Sequence, residues 1–231
     1  MTWIKICGTT NLSDAKHALA AGANALGFIF AAGPRRVDPT TAASIIAALP
    51  ENTGRIGVFI DEAPSVVAEI ADNIGLTGIQ LHGQEPAEQL AEFRSALGSR
   101  MIIKALQARE IIGNRGILDT YLRCTDWFDA VLIDSGGLGQ RGGTGARFDW
   151  NAAQPVVSRI KEVKSVILAG GLTPENVGRA ILLFQPWGLD VVTGVEREPG
   201  KKEAAKMHAF VQAVRSTFAS STSQQPAVSG A

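Results

Sequence analysis

Residues 165–194 read SVILAGGLTPENVGRAILLFQPWGLDVVTG, and their pattern decides the fold class. Ser165 to Ala169 is a short aliphatic run that Gly170-Gly171 interrupts; Thr173 before Pro174 has the composition of a helix start. Glu175 to Leu183 then carries apolar residues at three- and four-residue spacing, and a second apolar run, Gly188 to Val192, leads into Thr193-Gly194. Apolar run, turn, amphipathic segment, apolar run is the order of a strand, a crossover helix and a parallel strand.

The same alternation extends over the chain. Further strands are expected at Trp3 to Cys7, Ala25 to Phe30, Arg55 to Ile60, Gly78 to Leu81, Met101 to Ala105 and Ala130 to Ile133. Helices are expected over Thr40 to Leu49, Ser65 to Ile74, Ala87 to Leu97 and Glu203 to Arg215, with starts marked by Asp38-Pro39, Ala63-Pro64 and Glu85-Pro86. The helical region from Glu110 to Thr125 is weaker, because Gly113 and Gly116 interrupt it. Eight such units close into a single-domain α/β fold, a (β/α)8 TIM barrel; an open doubly wound sheet would carry GxGxxG after its first strand, where this chain has Cys7-Gly8-Thr9-Thr10. The barrel is assigned to residues 1–216. Residues 217–231 form a C-terminal tail whose Ser, Thr, Gln, Ala and Pro content from Ser220 onward predicts disorder.

With 231 residues and 45% hydrophobic content, the chain can bury one large core. Lysine plus arginine equals aspartate plus glutamate at 22 each, so no overall field attracts nucleic acid or an anionic membrane, and an anion site must be local. Cys7 and Cys124 form neither a CxxC pair nor a disulfide framework, and the start has no basic segment followed by an apolar run, so a soluble, cytoplasmic protein is expected. Three scattered histidines argue against a metal site.

In a barrel of this kind the chemistry sits at the C-terminal ends of the strands. The polar residues expected there are Cys7, Arg35, Arg36, Asp61, His82, Asp134 and Thr193, with the glycine pairs Gly170-Gly171 and Thr193-Gly194. Backbone N–H groups in loops after strands 7 and 8 commonly bind phosphate, although glycine also serves plain tight turns. A lone cysteine in an apolar strand is often inert core; at a strand's catalytic end its thiol is able to exchange protons instead. Asp134, at the end of Val131-Leu132-Ile133, has the position either of a general acid at the rim of the core or of a loop cap. His82 is expected to orient a partner by hydrogen bonding.

Several motifs occur in order from Lys5 to about Phe210: Lys5-Ile6-Cys7-Gly8, Gly27-Phe28-Ile29-Phe30, Gly57-Val58-Phe59, Gln80-Leu81-His82-Gly83, Gly143-Thr144-Gly145 before Phe148-Asp149-Trp150, Leu168-Ala169-Gly170-Gly171-Leu172 with Pro174-Glu175-Asn176, and Gly194-Val195-Glu196 before Pro199-Gly200-Lys201-Lys202. Together they resemble the phosphoribosylanthranilate isomerases of tryptophan biosynthesis. That resemblance implies an Amadori rearrangement of N-(5-phosphoribosyl)anthranilate to 1-(2-carboxyphenylamino)-1-deoxyribulose 5-phosphate, with no metal or coenzyme. It implies Asp134 as general acid on the ring oxygen and Cys7 as general base at the sugar C2. It also implies Arg36, in preference to Arg35, on the anthranilate carboxylate, Asp190 near the sugar hydroxyls, and the phosphate on amides around Gly170, Gly171, Thr193 and Gly194. The loop Gly142-Gly143-Thr144-Gly145 would cover the site. Val192 and Ala146 depart from the commoner family pattern, which bears on phosphate binding and loop stability and leaves the acid and base untouched. The expected partner is a small phosphosugar, bound by a monomer or homodimer. Two rivals remain: a related phosphosugar isomerase, as in histidine biosynthesis, whose acid and base are usually two aspartates, and a non-catalytic phosphate-binding barrel. The pairing of Cys7 with Asp134 argues against both.

Overall fold

Eight strands pair in parallel in chain order: β1 (Trp3–Cys7), β2 (Ala25–Ile29), β3 (Gly54–Phe59), β4 (Gly78–Leu81), β5 (Met101–Gln107), β6 (Ala130–Asp134), β7 (Ser165–Ala169) and β8 (Gly188–Val191). Pairing of Trp3 with Gly188 and Lys5 with Asp190 joins β8 back to β1 and closes the barrel. The computed structural model describes residues 2–135 and 150–222.

Alternation along the strands sorts the core into two layers. Ala25, Ile56, Ile103, Leu132 and Ile167 pack together inside the barrel with Trp3 and Met101. Their strand neighbours, such as Ile4, Ile6, Leu26, Ile102, Val131 and Val166, face the helices and form a larger cluster with them. The helices are α1 (Leu12–Ala21), α2 (Pro39–Ile46), α3 (Pro64–Ile74), α4 (Leu90–Leu97), α5 (Ala108–Gly113), α6 (Arg115–Leu122), α7 (Trp150–Lys161), α8 (Val177–Phe184) and α9 (Ala204–Thr222). A short antiparallel pair, β9 (Glu196–Glu198) and β10 (Lys201–Lys202), lies between β8 and α9.

Capping chemistry explains some helix starts and corrects others. Asp38 accepts from Thr41 N at 2.9 Å and from Thr41 Oγ1 at 2.6 Å, which satisfies a free amide at the start of α2. Thr173-Pro174 does not begin α8. Asn176 bridges back instead, accepting from Thr173 N and donating to Gly171 O, each at 2.8 Å, and the helix starts at Val177. The weak region after β5 divides into α5 and α6 at Asn114, whose side chain accepts from Gly116 N at 3.0 Å. Glu85 does not cap the following helix; it is buried, and a 3-10 turn at Ala87–Gln89 precedes α4. Val192 falls outside β8, and α9 runs past the expected boundary at residue 216 to Thr222.

Candidate active site

Strand alternation puts Lys5 and Cys7 on the inner face of β1 and Asp190 on the inner face of β8, adjacent through the register Lys5–Asp190. Lys5 Nζ stands 2.8 Å from Asp190 Oδ1, with both side chains almost wholly enclosed. Both atoms are shut off from solvent, so the ion pair is their main compensation for burial. The Cys7 side chain packs against Ile29 and Val58, with Ala31 and Val192 at the edge. Gly27 makes that position possible: a Cβ there would lie 2.5 Å from the sulfur.

More charges converge on the same end of β1. Lys202 Nζ donates to Glu196 Oε1 at 3.0 Å and to Val192 O at 3.3 Å. Arg35 holds the same carboxylate in two-pronged fashion, Nε to Oε1 at 2.9 Å and Nη2 to Oε2 at 2.7 Å. Both cations reach over Gly8, where an added Cβ would meet Arg35 Cδ at 3.1 Å and Lys202 Nζ at 3.5 Å. Burial pushes the Cys7 thiol up; Lys5 pulls it down, Asp190 pushes it up, and Lys202 pulls it down, leaving it above the ordinary value. Burial works against the charged form of Glu196 as well, but Arg35 and Lys202 outweigh it and hold the carboxyl below its ordinary value.

Separated from β1 by β7 and β8, the buried Asp134 ends β6. Its Oδ2 lies 3.2 Å from His82 Nε2, and Gln80 Nε2 lies 2.6 Å from His82 Nδ1. With the Gln80 amide donating, Nδ1 accepts and Nε2–H points at the Asp134 carboxylate. Gln80 and His82 are two apart on β4, which puts both on the inner face. Gly170, with φ of 80°, gives Asp134 its space: a Cβ there would lie 2.4 Å from Asp134 Oδ1. Ser135 Oγ donates to Gly170 O at 2.7 Å and ties the two strand ends together.

Gly171 also has a positive φ, 62°, and a Cβ there would meet nothing within 4 Å, so its backbone faces open space. Gly194 is packed so closely under Leu172 that a Cβ would sit 1.9 Å from Leu172 O. The loops after β7 and β8 therefore touch, with exposed Thr193 beside them. Arg36 is exposed and lines a cavity of about 740 Å³ with Thr10, Asn11, His17 and Arg197. Asp61, φ 51°, is engaged in loop structure: it accepts from Gln84 N at 2.6 Å and donates its own N–H to Glu85 Oε1 at 3.1 Å. The expected covering loop Gly142–Gly145, with Ala146 and Arg147, lies outside the described residues. Among the described residues no group of three or more His, Cys, Asp or Glu is arranged to hold a metal ion.

Cys7, Asp190, His82, Asp134, Gly170, Gly171, Thr193 and Gly194 thus share the C-terminal end of the barrel, and Arg36 lines a cavity at the same end with Thr10, Gly200 and Lys202. The residues missed from sequence are Lys5, Gln80, Glu196 and Lys202. A signal for Lys5 and Gln80 was present, since each is a polar residue at the inward phase of an apolar strand. Glu196 and Lys202 carried none, because their partners come from distant parts of the chain.

Comparison with known proteins adds an independent line. Residues 4–213 match the family described as N-(5'-phosphoribosyl)anthranilate (PRA) isomerase. The N-(5'-phosphoribosyl)anthranilate isomerase of Desulforudis audaxviator is 42% identical over 217 residues, covering 93% of this chain and 98% of its own length. The crystal structure of phosphoribosyl anthranilate isomerase from Thermotoga maritima superimposes with a TM-score of 0.81 at 34% identity, over 94% of this chain and 100% of its own. A phosphoribosyl anthranilate isomerase in complex with reduced 1-(o-carboxyphenylamino)-1-deoxyribulose 5-phosphate gives 0.78 at 33% identity, over the same shares.

Proposed function

Because the chain belongs to the N-(5'-phosphoribosyl)anthranilate isomerase family and is an isomerase of tryptophan biosynthesis, we propose that it performs the Amadori rearrangement with Asp134 as general acid and Cys7 as general base. The observation that carries this assignment is the meeting, at one barrel rim, of an enclosed thiol beside two lysines and a buried carboxyl held by a histidine. Asp134 gives its proton to the furanose ring oxygen as the C1–O bond breaks, and the anilino nitrogen's lone pair makes the C1–N iminium. That cation acidifies the C2–H bond. The Cys7 thiolate takes the C2 proton, the bond's electrons neutralise the iminium, and tautomerisation of the enol to the C2 ketone gives the aminoketose. Substrate and product are isomers, so the steps balance without a co-reactant.

His82, oriented by Gln80, is suited to donate to Asp134 once the carboxyl has lost its proton. Asp190, on the inner face of β8, is suited by position to orient sugar hydroxyls. The open backbone at Gly171, with Gly170, Thr193 and Gly194, suits the phosphate. For the anthranilate carboxylate there are two guanidinium candidates: Arg36, which lines a cavity with Thr10 and Lys202, and Arg35, whose side chain crosses Gly8 next to Cys7. Glu196 already occupies the Arg35 guanidinium in two-pronged fashion, so the exposed Arg36 is the better candidate.

The test is decay of the substrate's anthranilate fluorescence, with phosphoribosylanthranilate generated in place. Cys7→Ala and Asp134→Asn are each expected to lower turnover by roughly 10²- to 10⁴-fold, the usual contribution of one acid or base, with an unchanged circular dichroism spectrum. Near-normal turnover in either folded variant removes that residue from its role.

A further inference from the structure

Cys7 is enclosed by apolar side chains on one side and by fixed charges on the other. The charged groups facing it come from each polar element packed around it: Lys5 on its own strand, Asp190 on β8, Lys202 on β10, and, joined to Lys202 through a shared carboxylate, Glu196 on β9 and Arg35 from the loop after β2. With these groups ionised there are three cations and two carboxylates, one positive charge in excess. A buried cluster with an uncompensated charge is costly, and an added anion at its centre relieves it. The sulfur of Cys7 is the group at that centre able to supply one.

From this geometry we propose that Lys5 and Lys202 are positioning residues that form a cationic cradle for the Cys7 thiolate, so that the ionised thiol completes the charge of a cluster built from β1, β8, β9 and β10. Burial is the largest influence on the sulfur and, with Asp190, keeps the thiol above its ordinary value; Lys5 and then Lys202 pull against them. Neither lysine reacts with substrate in this scheme. Each sets the fraction of Cys7 available as base, and so the position of the acid limb of the pH-rate profile. The two differ in what their loss leaves behind. Removing Lys5 strands Asp190 in the barrel, whereas removing Lys202 leaves Glu196 still held by Arg35.

The inference rests on Cys7 acting as the base, and the experiment separates the two questions. In the full chain carrying Cys124→Ser, thiolate absorbance is titrated in the ultraviolet and corrected by the matching Cys7→Ser protein. Lys5→Met and Lys202→Met are each expected to leave about tenfold or more less thiolate at a fixed pH below the midpoint, since an opposite charge at this range shifts a pKa by one unit or more. The acid limb of kcat should move by the same amount. A Cys7 midpoint unchanged in Lys202→Met overturns the cradle even if Lys5→Met fails to fold. An unchanged midpoint in a folded Lys5→Met does the same. Persistent turnover in Cys7→Ala defeats the base assignment alone, whatever the titration shows.

Discussion

Lys5 and Lys104 are both fully enclosed, yet they stand on opposite faces of the barrel wall. Lys5 points inward on β1, toward Asp190 and the Cys7 sulfur. Lys104 is flanked on β5 by the inward-facing Ile103 and Ala105, so it points outward, where it pairs with Glu85, donates to Gly83 O at 2.9 Å and lies 5.5 Å from the centre of the Tyr121 ring. Glu85 in turn accepts from Asp61 N and Gly83 N, and its carbonyl accepts from Tyr121 Oη at 2.8 Å. The outer pair is therefore a clamp on the loops after β3 and β4, the second of which begins at His82. Their electrostatics diverge as well. Burial lowers Lys104 and Glu85 offsets this only in part, whereas the burial penalty on Lys5 is exceeded by Asp190 and Cys7, so Lys5 is raised. The same residue type, with no exposed surface in either case, clamps two loops on one side of the wall and faces the proposed base on the other.

The most severe way to break this contrast is Lys104→Met. It strands Glu85 in an apolar layer and should cost about 3–5 kcal/mol of stability in urea denaturation, while turnover per folded molecule and the Cys7 titration stay as in the wild type. Adding Glu85→Leu should recover most of that loss; failure to recover would mean that the loop hydrogen bonds, not the stranded charge, dominate.

Next in size is Gly27→Ala, which acts on the inner side alone. The new methyl occupies the space of the Cys7 sulfur, and a displacement of about 1 Å should lower kcat by roughly 10²-fold. An active Gly27→Ala protein would show that the position of the thiol is loosely held. A smaller effect distinguishes the arginines. Whichever guanidinium meets the carboxylate should raise KM about tenfold when replaced by lysine, the worth of one charge-assisted hydrogen bond. Arg36→Lys is expected to exceed Arg35→Lys; the reverse order would assign the carboxylate to the guanidinium that Glu196 holds.

The finest test uses pH. Lys104 has a lowered pKa in the folded protein, so its stabilisation is present above the ordinary value of 10.5 and lost as pH falls through the lowered one. The stability gap between wild type and Lys104→Met should therefore widen as pH rises toward 10.5. Lys5, raised when folded, contributes fully below 10.5 and loses its contribution only as pH rises through its raised value. Its gap should stay flat over the interval in which the other widens. Parallel slopes would erase the electrostatic difference between the two faces of the wall.

Much of this was legible beforehand. The strand spans Trp3 to Cys7, Gly78 to Leu81 and Ser165 to Ala169 coincide with β1, β4 and β7, because short aliphatic runs bounded by glycine or polar residues have few alternatives to a buried parallel strand. Boundaries slipped where a local bond outcompeted the general signal, as at Asn176, whose side chain closes a turn through Thr173 and delays α8. Cys7 and Asp134 were readable as candidates because each ends an apolar run. Lys5 and Gln80 sit one alternation deeper, and their roles required knowing what faces them across the barrel.

The sequence by itself determined the order of strands and helices, the inward or outward phase of each strand residue and the identity of the rim residues, since these follow from periods of two and 3.6 and from local turn chemistry. Only the tertiary structure decided that Asp190 would meet Lys5, that Glu196 would join Arg35 to Lys202, and that Lys5, Asp190 and Lys202 would gather around one sulfur. The physical reason is closure. Joining β8 to β1 brings together residues from the two ends of the chain, and burial there makes each charge depend on partners that no local pattern encodes.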